Sequence, residues 1–454
     1  MRPDTILINA QPGETRLALL AGERVIEVTH FRHGDGGVEG AVFAGRVTKI
    51  NRDLNAAFVD IGGDAPGFLA ASDVRRCADE RIKSVAAVLG EGDRVLVQAD
   101  REAMDGKGPR LTCRLTLPGR CLNLLTGGGG VKIPKFVPKG DKARLEGLSE
   151  LLPDGMGVSF NPASGGADMA ALKNKLVHLV GELDGLYDAF EEAKKVPCLL
   201  RPAPSALDRA LALSSPNCRI VTDDPDAAVG MASEPWRGPE PLFDALGIED
   251  VIDAALAPAV ALPSGGRVLI AETPALTAID VDTARAAEGQ PRRLAAKAND
   301  EAVGAIAREL RLRNISGQIV IDFLAMKGRK EQNDLLARLR NALAADPVEC
   351  HVLGMTGLGL VELTRRRRGP SLASYLGSTG PWRPSPETAG LAALRRAAAL
   401  RGGRIVLIAA ADVAAALQGP LKGAVADVQA RLGGALTVKT DERLHPGEAD
   451  VRKG

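Results

Sequence analysis

Apolar and polar positions alternate with period two near the start of the chain. In "TILINAQPGETRLALLAGERVIEVTHF" the alternation breaks at turn residues, which predicts two or three strands. "GAVFAGRVTKINRDLNAAFVDIGGDAPGFLAASDV" then gives short strands spaced by Gly, Asp and Asn, and "DRVLVQAD" and "RLTCRLTL" add two more. About five short strands in roughly 85 residues predict a small closed barrel, of which the OB fold is one type.

The pattern changes downstream. "TGGGGVKIPKFVPKGDKARLE" is glycine-rich and basic and predicts a flexible connection. Its Lys132, Lys135, Lys139, Lys142 and Arg144 are either phosphate contacts or a solvated loop. It lacks the Gly-x-x-x-x-Gly-Lys-Ser/Thr spacing of a nucleotide P-loop. "ADMAALKNKLVHLVGELDGLYDAFEEAKKV" places apolar residues three and four apart and predicts a helix. From "CRIVTDDPDAAVGMA" onward, strands and helices alternate, which implies an α/β arrangement. After Arg368, "GPSLASYLGSTGPWRPSPETAG" predicts a linker, and "RGGRIVLIAAADVAAAL" with "GALTVKT" a small terminal α/β domain.

Composition adds limits. The 454 residues are 45% hydrophobic and 25% charged, as in a soluble protein of two to four domains. The net charge of +1 names no partner, so a nucleic-acid binder must concentrate its basic residues locally. Only 3% of residues are aromatic, which makes an aromatic in an unusual place informative. The cysteines, Cys77, Cys113, Cys121, Cys198, Cys218 and Cys350, form no Cys-x-x-Cys pair, so neither a zinc ribbon nor a disulfide framework is indicated. With no signal-peptide pattern and no apolar run of about 18 residues, the expectation is a cytoplasmic protein with reduced thiols and no membrane span.

Candidate chemistry centres on "ETPALTAIDVDT", which reads as a buried strand ending in Asp280 and Asp282. Period two puts Ala278, Asp280 and Asp282 on one face and Ile279 and Val281 on the other. A helical stretch follows, then "GQIVIDFLAM", whose Ile319 to Ile321 read as a buried parallel strand ending in Asp322. As a βαβ unit, this brings both carboxyl ends to the sheet edge where open α/β sheets place ligands. Two readings fit: the carboxylates hold Mg²⁺, or they cap turns or pair with arginine. In the barrel, Phe58 and Phe68 lie on adjacent predicted strands and either stack on bases or belong to the core. Lys107, where a strand follows a turn, is placed to neutralise a phosphate.

Four blocks strongly resemble the ribonuclease E/G family of bacterial endoribonucleases: "AAFVDIGGDAPGFL", "LPSGGRVLIAETPALTAIDVDTARAAEG", "EAVGAIARELRLRNISGQIVIDFLAM" and "GLVELTRRRRGPSL". The resemblance covers nearly the whole chain, most clearly residues 36–120 and 235–372. It implies an α/β multidomain fold in which a split RNase H-like subdomain (1–35 and 196–257) carries an inserted OB-fold RNA-binding domain (36–125) and a 5′-sensor-like domain (126–195). A DNase I-like catalytic subdomain (258–384) and a small C-terminal domain (385–454) follow.

The resemblance further implies hydrolysis of single-stranded, A/U-rich RNA to 5′-phosphate and 3′-hydroxyl ends, in RNA processing or decay. It places the catalytic, Mg²⁺-binding aspartates at Asp280 and Asp322, and the RNA-contacting barrel residues at Phe58, Phe68 and Lys107. The third polar residue of the site, usually Asn in the family, is Asp282 here. Three departures stand out. The Arg-Thr pair that senses a 5′-monophosphate is replaced by Asn161 and Pro162 in "GMGVSFNPASGG". The cysteine motif that links protomers through zinc is absent, so no structural zinc and no zinc-linked dimer are expected; oligomeric state is left open. The family's Arg-Phe-Gly is "GLG", Gly357 to Gly359. The length is that of the ribonuclease G type. The competing reading is a non-catalytic RNA-binding protein derived from this family.

Overall fold

The structure, a computed structural model, describes residues 2–34, 37–74, 82–103, 107–133, 137, 139–164, 167–215, 217–228, 231–283, 291–378, 382–400 and 403–454, with backbone only at 139, 162 and 291–293. Cys77 and Lys135, and the side chains of Lys139 and Pro162, lie outside the described residues. The chain divides into two compact units. One comprises Thr5–Asp35 and Arg219–Gly454, and the other Gly36–Cys218 with Arg2–Asp4.

In the Gly36–Cys218 unit, strands Val42–Asn51, Ala56–Asp60, Gly67–Ala70, Arg110–Thr112 and Arg94–Arg101 pair in that order. The last pairs back onto Val42–Asn51, which closes a five-stranded barrel; Cys198–Arg201 adds a flanking strand. Alternation turns Val47, Ala57, Val59, Leu69, Val97 and Leu111 inward. Gly45 allows the tight approach at the closure, since a Cβ there would lie 2.5 Å from Val59 Cγ1.

A second core in this unit joins a four-stranded sheet to the helix Met169–Glu192. Its Leu172, Leu176, Leu179, Leu183 and Leu186 are buried at three- and four-residue spacing, and Asp168 caps it by accepting from the Ala171 N–H. The glycine-rich connection is more ordered than its composition predicts. Gly130–Lys132 is a strand parallel to Gly157–Phe160, and Lys139–Glu146 is a helix. Gly128, Gly129 and Gly130 all adopt positive φ, so the glycines shape a turn into the sheet.

The other unit holds three sheets. The first has Thr5–Gln11 at its centre, antiparallel to Glu14–Ala21, which is in turn antiparallel to Arg24–Arg32; on the other side of the central strand Arg219–Thr222 and then Glu234–Pro235 run parallel. The second is six-stranded, ordered Ala259–Ala261, Arg267–Glu272, Thr277–Asp282, Gly317–Asp322, Val361–Arg365, Cys350–Met355. Of its neighbouring pairs, Thr277–Asp282 with Gly317–Asp322 is the parallel one. Helices Pro291–Leu312 and Gly328–Leu343 cover one face and bury Ile279, Val281, Ile319, Ile321 and Leu363.

The reading of Thr277–Asp282 as wholly buried is corrected. Its aspartate-bearing face is open in this unit, with Ala278 and Asp280 exposed. A helix covers only one side, so the alternation that hides Ile279 and Val281 must expose Asp280. The predicted linker after Arg368 is also more structured. Leu372–Leu376 is a helix capped by Ser371, and Leu372, Leu376 and Trp382 join the core beneath the first sheet. The C-terminal domain is a three-stranded sheet packed with helices Pro386–Ala399, Ala411–Gln418 and Lys422–Leu432. Among the described residues no helix is long and apolar enough to cross a membrane.

The first sheet buries a charged cluster. Arg16, only 2% exposed, donates to Asn9 Oδ1 and to Glu249, while Glu14 takes His30 Nδ1 at 3.2 Å and Arg395 Nη1 at 2.9 Å. Burial pushes Glu14 up, but the His30 hydrogen bond and the nearby positive charges outweigh it and bring its pKa to about 2. Burial pushes His30 below its ordinary 6.5 despite Glu14. Glu14 is depressed in the fold, so its contribution is complete above pH 4.5 and is lost as pH falls towards 2. The unfolded chain protonates its histidine near 6.5 while the fold resists, so stability also declines as pH drops through that value. The melting temperature is therefore expected to fall steadily from pH 7 to 4. Glu14→Gln, which leaves Arg395 without its buried partner, should lose about 3–5 kcal/mol at pH 7 in urea denaturation.

Candidate active site and RNA-binding surface

The Asp280 strand owes its register to a tight hairpin. Thr273 Oγ1 donates to Leu276 O at 2.6 Å and accepts from the Leu276 N–H, which sets Glu272 opposite Thr277 and Leu269 opposite Asp280. On the other side the parallel register places Asp280 directly opposite Asp322. Both are exposed; Asp322 ends its strand, and Asp280 lies two residues before the end of its own. Adjacent strands lie about 4.8 Å apart, so two carboxylates on one face come within reach of a single ion. Asn299, 2% exposed on the helix behind the sheet, holds the chain just past Asp322: its Nδ2 donates to Leu324 O, and its Oδ1 accepts from Leu324 N.

Asp282 is differently engaged. Arg267 lies opposite it and donates to Oδ2 from Nε at 3.1 Å and from Nη2 at 2.8 Å. Sequence reasoning raised pairing with arginine in general but did not single out Arg267. The signal lies in the antiparallel register of "GGRVLIAE" against "AIDVD", which requires the hairpin to be placed first. Side-chain exposures of 51% for Arg267 and 39% for Asp282 make this a solvent-screened pair, worth less than about 1 kcal/mol to stability. Its effect is to restrain Asp282 and to keep a guanidinium on the open face that also carries Asp280. Glu362, opposite Val320, adds another exposed carboxylate to the open face, and sequence analysis passed over it. Among the described residues no group of three or more His, Cys, Asp or Glu side chains is arranged to hold a metal. Gly357 to Gly359 lie between Cys350–Met355 and Val361–Arg365, with Leu358 88% exposed.

In the barrel, Phe58 lies directly opposite Phe68. Their rings meet edge-to-face, with centroids 6.0 Å apart and planes at 73°. Both are half-buried on the outer face, while Ala57, Val59 and Leu69 fill the interior; the core reading of these rings is not what the fold adopts. Lys107 is exposed. Beside these strands Asp73, nearly buried, takes Arg110 at 2.7 Å and Arg114 at 3.4 Å.

Asn161 is committed internally. Its Nδ2 donates to Gly119 O at 2.6 Å, and its amide exchanges hydrogen bonds with that of Asn123. Pro162 opens a short 3-10 turn, Pro162–Ser164. Of the lysine-rich stretch, Arg144 is taken up by Ala167 O and Asp141.

Comparison with known proteins bears on this geometry. Residues 116–368 match the Ribonuclease E/G family, and residues 38–114 match the S1 RNA binding domain. The chain is 33% identical to Ribonuclease G of Haemophilus influenzae over 397 residues, which cover 82% of this chain and 81% of that protein. It is 29% identical to Ribonuclease G of Escherichia coli K12, with 98% of this chain and 99% of that protein covered. It is 34% identical to Ribonuclease E of Escherichia coli K12 over 81% of this chain but 37% of that longer protein. The five-stranded barrel is thus of the S1 RNA-binding kind. The chain belongs to the ribonuclease E/G family, and its length is that of ribonuclease G.

The outer-face aromatic pair is testable without RNA. A double-mutant cycle of Phe58→Ala and Phe68→Ala, read by chemical denaturation, should give a coupling of about 0.5–1.5 kcal/mol. Each single variant should lose less than the roughly 3–5 kcal/mol of a core Phe→Ala change.

Proposed function

We propose that this chain is a Mg²⁺-dependent endoribonuclease that hydrolyses single-stranded, A/U-rich RNA to 5′-phosphate and 3′-hydroxyl ends in RNA processing or decay. The observation that carries the reading is the in-register, exposed pair Asp280 and Asp322 in the carboxyl-terminal halves of neighbouring parallel strands, in a chain of a ribonuclease family. The donors suit a hard cation. They are oxygens only, and Mg²⁺ keeps most of its waters and needs one or two protein carboxylates. When bound, such an ion polarises a phosphoryl oxygen and lowers the pKa of a water.

The chain's own residues supply the rest. Asp280 and Asp322 hold the ion and offset its charge. Arg267 restrains Asp282 on the same face, and the N–H groups it does not spend there are donors of the kind a phosphate takes. Phe58 and Phe68 offer ring surface to successive bases, and Lys107 neutralises a backbone phosphate. We read the first sheet as the RNase H-like part, split as 1–35 and 196–257, and the six-stranded sheet as the DNase I-like part within 258–384. Cytoplasmic location, 36–125 as the barrel domain, 126–195 as the sensor-like domain and 385–454 as the small domain complete this reading.

Asp280→Asn and Asp322→Asn should each abolish cleavage of a short A/U-rich RNA, as should EDTA, while fluorescence titration still detects RNA binding. Full activity in either variant removes the metal assignment, and an inert wild type with intact binding favours a non-catalytic RNA-binding protein. Asp282→Asn should be milder. Phe58→Ala or Phe68→Ala should weaken RNA binding by about 1–3 kcal/mol.

At the sensor-like domain, Asn161 is spent on Asn123 and Gly119, and Pro162 has no backbone N–H. Loss of an arginine fork removes about 1.5–3 kcal/mol of charge-assisted bonding. The enzyme is therefore expected to cleave 5′-monophosphate and 5′-hydroxyl versions of one oligonucleotide at similar rates. An advantage of about tenfold or more for the monophosphate would show that other residues sense it.

A further inference from the structure

The larger unit contains a cavity of about 550 Å³ that is separate from the aspartates and barrel residues described above. Its lining comes from three places: Glu14, Arg16 and His30 of the first sheet, the helix Ile248–Leu256, and the C-terminal segment running from Leu376 to Asp450. The volume is that of a small-molecule site.

Three features of the lining agree on what it suits. The first is charge. The buried guanidiniums are already matched, Arg16 by Glu249 and Arg395 by Glu14. Arg396 donates to Ala449 O, and Asp450 is paired with Arg452. Arg396 keeps its positive charge, since a carbonyl only accepts its N–H, but Asp253 and Glu448, both exposed at the lining, outnumber it and leave an excess of negative charge; Glu448 also accepts the His445 N–H. Burial, then the charges of Glu249 and Asp250, pushes Asp253 above the ordinary carboxylate value, so it sits among negative neighbours. The second is His30. Its Nδ1 faces the Glu14 carboxylate and donates to it, which leaves Nε2 as an acceptor, and that atom is buried without a hydrogen-bond partner. A buried acceptor left unpaired costs about 1–3 kcal/mol, and a donor satisfies it. The third is the wall. Ile252, Leu256, Leu376 and the half-buried Trp382 ring are apolar, and the Trp382 indole N–H is already given to Ala373 O. Carboxylates and an orphan acceptor call for a positively charged donor; an indole and aliphatic side chains call for an apolar body.

We propose that this cavity is a binding site for a small organic ammonium ion, a protonated amine carried on an alkyl or aromatic body, with its charge towards Asp253 and Glu448 and an N–H towards His30. The site is independent of the nuclease reading.

The test is calorimetric titration of the full chain with phenethylamine, cadaverine and spermidine, and with adenosine monophosphate and benzoate as anionic counterparts. At least one amine should bind. Asp253→Asn combined with Glu448→Gln should weaken it about tenfold or more, and thermal melting should show the fold unchanged, since both side chains are exposed. Asp250→Asn, an exposed acid one turn away outside the lining, should weaken binding far less than the double variant does, since its charge acts on Asp253 from outside the cavity. Asp280→Asn should leave affinity unchanged. The proposal is overturned if no amine binds at millimolar concentration or if the anions bind in their place. It is equally overturned if Asp250→Asn weakens binding as much as the double variant does, which would mean diffuse surface attraction.

Discussion

Everything proposed for the six-stranded sheet depends on one constraint, the register of Thr277–Asp282 between its neighbours. A slip of one residue would turn Asp280 and Asp282 into the helix-covered core and Ile279 and Val281 out to water. Burying an unpaired carboxylate costs several kcal/mol, and exposing each aliphatic residue forfeits about 1.5–3 kcal/mol more. The same apolar packing that stabilises the sheet therefore aims the carboxylates. The Thr273–Leu276 hairpin fixes one side of the strand, and the helix Pro291–Leu312, through Asn299, fixes the chain leaving the other.

Two arginine–aspartate pairs in this unit show how environment divides labour. Arg365 and Asp346 are 2% and 3% exposed, and Arg365 also reaches Asn314 Oδ1 and Ile315 O. That pair is a desolvated tie at the end of the sheet away from Asp322, and removing either partner strands a buried charge. Arg267 and Asp282 make the same contact in water, where it stabilises little but sets the charge presented to a ligand. Geometry alone would rank these pairs as equals; exposure separates structural from electrostatic use.

Much of this was legible in the sequence because it depends on local period. Alternation set Asp280 and Ile279 on opposite faces, and leucine spacing gave the long helix Met169–Glu192. The βαβ logic brought Asp322 beside Asp280. What escaped has a common cause. Whether a strand is covered on one face or two depends on which elements pack against it, and neither the Arg267–Asp282 pair nor the exposure of Glu362 can be read without register. The Leu372–Leu376 helix hid inside a segment whose Gly, Pro and Ser content reads as linker, although its apolar residues reach a core built from the first strands of the chain. Phe58 and Phe68 were ambiguous for a related reason. Strand alternation gives two faces but does not say which is inside until the barrel closes.

The first sheet also imposes an order of events on synthesis. Its central strand Thr5–Gln11 takes as one neighbour Arg219–Thr222, with Thr5 opposite Arg219. As the ribosome delivers the chain from its N-terminus, that edge stays unpaired until the whole Gly36–Cys218 unit has emerged. The intervening unit has its own cores and can fold meanwhile. In doing so it converts a long flexible loop into a compact body and reduces the closure entropy of the late pairing. The early hairpins must wait in a half-built sheet, with an exposed strand edge open to wrong partners.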